Sequence, residues 1–292
     1  MLGDDSSSLP VKQAISDYIE VKRNVLSAST IFGYENYLKN GFDDLKDYRL
    51  IDLTNPILQK SINDKATTKS VKTLKNYYGL LFSTIRMFYP EFIVRVTFPQ
   101  KKKAEQYHFT KSYIKSLITA VKGSQMEIPV LLAMCLSCRA SEVCGLKWSD
   151  VNFENHTLHI QRAMVKGSQG YVLQEKNKNL SSNRIAYIPD ILYNALLQAD
   201  KSTEFIVNIP TNQFYRRLWR LTNKAGLERI SFHQLRHITA SVMLDIGINN
   251  KVAQEIGGWS TDNIMKSVYQ HTFTEARQSA NSAINDYFNT LN

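Results

Sequence analysis

Residues able to carry chemistry concentrate near the C-terminus, at positions 232–271. His233 and Arg236 stand three residues apart, so they share one face of a helix whose start Ser231 and Gln234 mark as a capping box. An imidazole exchanges protons near neutral pH, and a guanidinium binds pairs of phosphate or carboxylate oxygens. These residue types could therefore transfer a proton and bind an anion. His-x-x-Arg alone also occurs by chance in many helices, where the histidine caps the helix or packs in the core.

Two aromatic residues follow this pair at set distances. The first helix is predicted to end at Gly247 and a short second helix at Gly257-Gly258, which places Trp259 just after a break. A third helix, capped by residues 260–262, reaches Tyr269, ten positions after the tryptophan. The inward positions predicted for the first two helices are Leu235, Ile238, Val242, Ile246, Val252 and Ile256.

A second group lies upstream, in the segment Cys138–Trp148. Arg139 offers another guanidinium, and Glu142 follows one helical turn later. Together with His-x-x-Arg, Gly-Gly-Trp and the tyrosine, this order and spacing resembles the tyrosine recombinases, the phage-integrase family. The likeness is strongest to integrases of phages and conjugative transposons of Gram-positive bacteria. It covers the chain from about Leu9 to the end.

The resemblance implies a site that breaks and rejoins DNA. Tyr269 would attack the scissile phosphate, giving a 3′-phosphotyrosyl bond and a free 5′-hydroxyl. Arg139 and Arg236 would hold the phosphate oxygens, because guanidinium forks suit the charge that builds there. His233 would transfer a proton or bond the phosphate. Trp259 stands where many members carry a second histidine, and its indole N–H would donate to the phosphate.

A lysine on a turn between two strands is expected to protonate the departing 5′-oxygen. Lys178 is the first candidate, because the run that begins there resembles the family's lysine followed by Ser-Ser-x-Arg. Lys176 and then Lys166 are the competitors. Glu142 is expected to orient Arg139 or the histidine. The covalent link retains the energy of the phosphodiester, so we expect no ATP, metal or other cofactor.

Composition sets the broader class. The chain has 292 residues and a formal net charge of +10 at pH 7, which fits a partner rich in phosphate but also a merely solvated surface. No long apolar run or signal peptide is present in the sequence, so we expect no membrane association and a bacterial cytoplasmic, nucleoid-associated location. Cys135 and Cys138 have Cys-x-x-Cys spacing but an apolar helical setting, which favours packing over zinc or redox chemistry.

The first 98 residues read as a disordered lead-in (residues 1–8) followed by a helical DNA-binding bundle (residues 9–98). Asn55 is predicted to cap a helix that has Pro56 in its first turn, and a helix is predicted from Ser70 to about Tyr89. A strand pattern first appears at Val94–Phe98. Six lysines are candidate DNA contacts or a solvated face: Lys69, Lys72, Lys75, Lys101, Lys102 and Lys103.

Residues 99–108 read as a basic linker and residues 109–292 as a mixed α/β catalytic domain. A buried helix is predicted from Glu127 to about Leu136, and three strands at Thr157–Ile160, Tyr171–Leu173 and Arg184–Ile188 form a small antiparallel sheet. The predicted fold is therefore mainly α, in two domains. The resemblance implies that a last helix, residues 274–288, docks into a neighbouring subunit; an ordinary core helix is the alternative.

The resemblance implies a recombinase that integrates and excises a mobile element. Its expected partners are double-stranded DNA, copies of itself from dimer to tetramer, and an accessory excision factor. Such integrases usually carry an arm-binding domain before the helical domain, so we expect a shortened chain or a simpler recombinase resembling chromosome-dimer resolvases. The alternatives are a non-catalytic DNA-binding protein on the same scaffold and a type IB topoisomerase-like enzyme that relaxes DNA.

Overall fold

A computed structural model describes residues 6–100, 109–175, 183–259 and 287–290 of the chain. It divides into two compact units. One comprises Met1–Glu105 with Val165–Val172, and the other comprises Gln106–Met164 with Leu173–Asn292. The predicted domain boundaries remain predictions, and the predicted linker and C-terminal helix lie almost wholly outside the described residues.

The described part of the first unit is built on four α-helices. Hydroxyl caps begin three of them, as at Ser70, whose Oγ accepts from the backbone N–H of Thr73 at 3.2 Å. Their apolar faces meet in one core around Ile15, Leu58 and Leu81, each fully buried. The helices are α1 (Val11–Lys22), α2 (Ala28–Asn40), α3 (Asn55–Ala66) and α4 (Val71–Phe88).

Two details at the start of this unit correct the sequence predictions. Ser6–Ser8 form a 3-10 helix, and the Ser6 hydroxyl donates to the Phe88 carbonyl at 2.9 Å, so these residues are not part of a disordered lead-in. The cap of α3 is Thr54 rather than Asn55, because the Thr54 hydroxyl accepts from Ile57 N–H at 3.4 Å. Asn55 is the first helical residue, and its side chain is used elsewhere.

The Asn55 side chain bonds the backbone of residues 93–95, and these bonds explain why the predicted strand at Val94–Phe98 is absent. The Asn55 amide accepts from Arg95 N–H at 2.6 Å and donates to the Ile93 carbonyl at 3.1 Å. Gln59, one turn along α3, accepts from Thr97 N–H at 2.8 Å and donates to the Thr97 carbonyl at 3.0 Å. The extended backbone is therefore paired by helix side chains instead of a neighbouring strand.

The second unit is mixed α/β. Its fully buried core residues include Leu117, Val130 and Leu218. The helices are α5 (Lys111–Val121), α6 (Glu127–Leu136), α7 (Ala140–Gly145), α8 (Asp190–Gln198), α9 (Thr211–Lys224), α10 (Leu235–Asp245) and α11 (Asn250–Gly257). Its strands are β1 (Val151–Asn152), β2 (Thr157–Ile160) and β5 (Arg184–Tyr187), whereas β3 (Ala163–Gly167) and β4 (Gly170–Gln174) each contain residues of both units.

The strands form two small sheets rather than the single one predicted. One sheet has the order β1-β2-β5 with both pairs antiparallel, and Leu158 lies opposite Ala186 in its centre. The other consists of β3 and β4. The three predicted strands are observed as β2, β4 and β5, and the prediction of a mainly α fold with a small antiparallel sheet is confirmed.

Helix α6 is the buried helix predicted from its apolar composition, and α10 packs against it. The Thr239 hydroxyl on α10 lies 2.7 Å from the Met134 carbonyl and 3.2 Å from the Ala133 carbonyl, both near the end of α6. These contacts hold the end of α6 beside the first turn of α10. The two predicted active-site arginines are therefore brought together.

The inward face of α10 and α11 differs from the prediction. Val242, Ile246, Val252 and Ile256 are exposed, so their assignment to the core was wrong. The positions that are buried instead include small or polar residues, Thr239, Ala240, Ala253 and Gly257, because these two helices approach each other and Trp259 closely. Leu235 and Ile238 are buried as predicted.

Two of the broader expectations concern the role of the Cys-x-x-Cys pair and membrane association. Burial raises the pKa of the Cys135 thiol to about 11 and that of Cys138 to about 12, so both stay protonated at neutral pH. This favours packing over thiolate chemistry. Within the described ranges, no helix has the length and apolar character needed to cross a membrane.

Candidate active site

The candidate site starts where α6 ends and α7 begins. Arg139 is the N-cap of α7, and its backbone N–H donates to Glu142 Oε2 at 2.9 Å. Its guanidinium Nη1 donates to Glu142 Oε1 at 2.6 Å. Glu142 is buried, whereas the Arg139 side chain is 34% exposed. The carboxylate thus fixes the guanidinium of Arg139 while leaving it reachable from outside.

Arg236, on the first turn of α10, belongs to the same cluster. Its side chain is 2% exposed, and its Nη1 lies 3.8 Å from Glu142 Oε2 and donates to the Ser137 carbonyl. Burial, and then the charge of Arg139, lowers the pKa of Arg236 to about 10. The guanidinium is still protonated at neutral pH, so it remains a cation held in a buried position.

Ser137 joins α6 to α7 in a backbone conformation that few L-residues adopt. Its φ is 54°, in the left-handed region, and its side chain is fully buried. This turn directs the Ser137 carbonyl at Arg236 Nη1 and, at 3.4 Å, at Arg184 Nη2. The turn therefore gives two guanidiniums a shared acceptor at the C-terminal end of α6, where cations are favoured.

Trp259 approaches the cluster after a second left-handed turn. Gly258 has a φ of 59°, and the Trp259 N–H donates to the Gln254 carbonyl at 3.1 Å, which folds the tryptophan back over α11. A Cβ on Gly257 would lie 2.5 Å from the indole ring, so glycine is needed for this approach. The Gly258 carbonyl is 3.5 Å from Arg139 Nη2, which places this turn beside the arginine cluster.

His233 lies exposed on the 3-10 helix Phe232–Gln234, which carries the predicted capping box of Ser231 and Gln234. Its ring is 5.7 Å from the ring of His237, at 82° between planes. Burial and the nearby Arg236 lower the pKa of His237 below its ordinary value. His237 is therefore a neutral neighbour of His233 at neutral pH.

Arg184 is a member of this cluster that the sequence analysis did not single out. Its Nη2 donates to the Leu136 carbonyl at 2.9 Å and lies 3.8 Å from Glu142 Oε2. Its side chain is 8% exposed. A sequence signal for Arg184 was present, because this residue ends the lysine-to-arginine run that contains Lys178. The sequence does not indicate, however, that the start of β5 lies beside the end of α6.

The cluster holds more positive charge and more donors than its protein partners use. Three guanidiniums surround the single carboxylate of Glu142, a formal charge of +2. Within the described part of the chain, Arg236 Nε and Trp259 Nε1 are buried without a hydrogen-bond partner, as are Arg184 Nε and Nη1. Buried donors of this kind are costly unless an acceptor reaches them, so the cluster is suited to an oxyanion.

The other predicted site residues lie outside the described part of the chain or in the first unit. Tyr269, Lys178 and its competitor Lys176 lie outside the described residues, as do Lys101, Lys102 and Lys103. Lys166 lies over the ring of Phe32, at 4.7 Å from the centroid, in the first unit. Lys69, Lys72 and Lys75 are exposed around the start of α4, and their DNA contacts stay a prediction.

Across the described ranges, no three His, Cys, Asp or Glu side chains are grouped so that they could hold a metal ion. The one carboxylate at the centre of the candidate site is already shared by three guanidiniums. The candidate site therefore presents mainly positively charged hydrogen-bond donors.

Comparisons with known proteins show the family to which this chain belongs. The model of the phage integrase family matches residues 108–276. The tyrosine recombinase XerC-like protein of Caldanaerobacter subterraneus subsp. tengcongensis is 24% identical, over 87% of this chain and 76% of that protein. The tyrosine recombinase XerA of Pyrococcus furiosus is 25% identical, over 93% of this chain and 94% of that one.

Two solved structures have a similar fold. The Tn1549 transposon integrase, in complex with transposon right end DNA, matches with a TM-score of 0.75 and 19% identity, over 94% of this chain and 99% of that chain. The lambda integrase dimer bound to a COC′ core site matches with a TM-score of 0.67 and 17% identity, over 91% and 78% of the two chains. These likenesses concern the fold.

The family match extends over more than half of the chain, and the chain belongs to the phage integrase family of tyrosine recombinases.

Proposed function

We propose that this protein is a site-specific recombinase that cleaves and rejoins double-stranded DNA through a 3′-phosphotyrosyl intermediate. The observation that carries the proposal is the cluster of Arg139, Arg184 and Arg236 around buried Glu142, with the Gly258–Trp259 turn beside Arg139. Its excess positive charge and unused donors would bind the non-bridging oxygens of one phosphate.

The reaction would proceed by exchange of one phosphate ester for another. The phenolic oxygen of Tyr269 bonds to phosphorus, the bond from phosphorus to the 5′-oxygen breaks, and that oxygen leaves as a hydroxyl. Lys178 would supply the proton to the leaving oxygen, and His233 would accept the proton of the phenol. Attack by a 5′-hydroxyl on the phosphotyrosine reverses the step and rejoins the strand without ATP.

The wider role would be integration and excision of a mobile element in the bacterial cytoplasm. A tetramer on two DNA duplexes, assisted by an excision factor, would exchange the strands, with residues 274–288 docking between copies. The structural neighbours support this proposal: one is a transposon integrase on transposon end DNA, and lambda integrase was solved as a dimer on a core site and as a tetramer on a Holliday junction.

The test is capture of the covalent intermediate. The protein is incubated with a library of nicked duplexes that carry a randomised central stretch, and adducts are isolated by denaturing electrophoresis and sequenced. We expect the wild type to trap a defined sequence. Tyr269→Phe should trap none, and Tyr187→Phe, a control at a tyrosine that is 81% exposed, should trap as much as the wild type.

Other outcomes identify the alternatives. DNA binding without any adduct from the wild type, or equal trapping by Tyr269→Phe, would favour a non-catalytic DNA-binding protein. Relaxation of a supercoiled plasmid that lacks the selected sequence would favour a type IB topoisomerase-like activity.

A further inference from the structure

Arg184 is a buried arginine that the proposed reaction does not use. It is the first residue of β5, and its side chain is 8% exposed. Its Nη2 donates to the Leu136 carbonyl at 2.9 Å and to the Ser137 carbonyl at 3.4 Å. A cation here stabilises the C-terminal end of α6, whose last carbonyls lack partners within the helix.

The same guanidinium lies flat against the turn before Trp259. A Cβ on Gly258 would be 2.6 Å from Arg184 Nη1, 2.9 Å from Cζ and 3.1 Å from Nε. Three consecutive atoms of the fork at nearly equal distance show that its plane faces the glycine. Gly258 can accept this contact because it has no side chain and because its φ of 59° is easy for glycine.

Arg184 also completes the surroundings of Glu142. Its Nη2 is 3.8 Å from Glu142 Oε2, the same distance that separates this oxygen from Arg236 Nη1. Glu142 Oε2 is also the acceptor of the Arg139 backbone N–H. A shift of Arg184 would therefore disturb the carboxylate that holds both of the proposed phosphate-binding arginines.

We propose that Arg184 is a positioning residue of the DNA-cleaving site. Its planar fork joins three parts of that site: the end of α6, the Gly258–Trp259 turn and the carboxylate of Glu142. The expected effect of Arg184 on DNA cleavage rests on the proposed function. Its expected effect on the position of Trp259 rests on geometry alone. A lysine keeps the charge but has no planar fork, so it cannot replace the arginine.

The experiment measures the rate of covalent adduct formation in a single turnover at saturating DNA, using the selected nicked duplex. Arg184→Met and Arg184→Lys should both lower this rate by about 10- to 100-fold, the usual cost of losing a group that orients active-site residues. The dissociation constant for the DNA should change by less than about threefold, because the DNA-binding surfaces are intact.

Arg162 provides the matched control in the same unit. It is similarly buried, at 11% exposure, and its Nη1 donates to Asp150 at 2.7 and 2.9 Å. Arg162→Met should leave the cleavage rate of bound DNA within about threefold of wild type. A wild-type rate in Arg184→Met, full rescue by Arg184→Lys, or an equal loss in Arg162→Met would each overturn the inference.

A second measurement does not depend on cleavage. Replacing Trp148 and Trp219 with Phe leaves Trp259 as the single fluorescent tryptophan, and acrylamide quenching then reports its exposure. Arg184→Met in this background should raise the quenching constant by about twofold or more, since the turn loses its support, and Arg162→Met should not. Unchanged quenching overturns the positioning role. Failure of the wild type to form adducts, with quenching as expected, overturns the proposed function alone.

Discussion

Arg139 and Glu142 are joined twice: the backbone N–H of Arg139 donates to one carboxylate oxygen at 2.9 Å, and its guanidinium donates to the other at 2.6 Å. The first bond caps the start of α7, and the second aims the side chain. Local helix formation and the direction of a proposed phosphate ligand thus depend on the same carboxylate. Glu142 is therefore the residue whose replacement should affect both.

Glu142→Gln should destabilise the protein by about 3 kcal/mol, because it leaves the guanidiniums of Arg139, Arg184 and Arg236 without their shared counter-charge. The measurement is the midpoint of chemical denaturation. Glu204→Gln is the control, since Glu204 pairs with Lys147 at 2.9 Å but is 65% exposed, and its loss should cost less than about 1 kcal/mol. Equal costs for the two variants would contradict the shared role of Glu142.

Gly258→Ala should cost more stability than Gly226→Ala. Both glycines have φ near +60°, so each alanine carries a backbone cost of about 1 kcal/mol. A Cβ at Gly226 meets nothing within 4 Å, whereas at Gly258 it would overlap Arg184 and add about 2 kcal/mol. Thermal denaturation measures the difference. Adding Arg184→Ala to both variants should remove most of it, and a difference that persists would show that the overlap is not its source.

Ser137→Gly should raise stability by about 1 kcal/mol, because Ser137 holds a left-handed φ of 54° that glycine adopts without strain. The serine Oγ is also buried and has no hydrogen-bond partner within the described ranges. Ser137→Ala separates the two effects, since it removes the hydroxyl and keeps the Cβ. A melting temperature for Ser137→Ala as high as that of Ser137→Gly would place the cost in the hydroxyl.

Acidification should destabilise the protein through His237. Burial and Arg236 lower its pKa in the folded state, so below the ordinary value of 6.5 the unfolded chain binds a proton that the folded chain does not. The free energy of unfolding therefore falls as the pH drops from 6.5 toward the lowered pKa, by at most about 1.4 kcal/mol per pH unit. His237→Gln should flatten this part of the curve. Parallel curves for the wild type and the variant would exclude His237 as the source.

The order of the helices and the pairing of Arg139 with Glu142 followed closely from the sequence. Helical spacing located α6 and α10, and the capping box at Ser231 and Gln234 located the turn that presents His233. Helix caps and side-chain pairs of this kind can be predicted from the sequence, because the interacting residues lie within one helical turn of each other. The pairing of Arg139 with Glu142 belongs to the same class.

Packing between residues far apart in the chain was harder to predict from the sequence. The burial of α11 was assigned to Val252 and Ile256, whereas Gly257 is buried and those two are exposed. A glycine at a close contact carries no apolar signal, so a search for large side chains misses it. Arg184 was missed for a related reason, since its partners at Leu136 and Gly258 are backbone atoms that no side-chain pattern marks.

The pairing of Asn55 and Gln59 with residues 93–97 has a geometric origin. Four residues of helix advance about 6.0 Å, and two residues of extended chain advance about 6.6 Å, so amides one turn apart match alternate peptide groups. Such an amide ladder lets an extended segment leave a helical unit in one set direction without exposing a β edge that could recruit another chain. Asn or Gln residues four apart on a solvent-facing helix are thus a sequence sign that an extended segment packs along that helix.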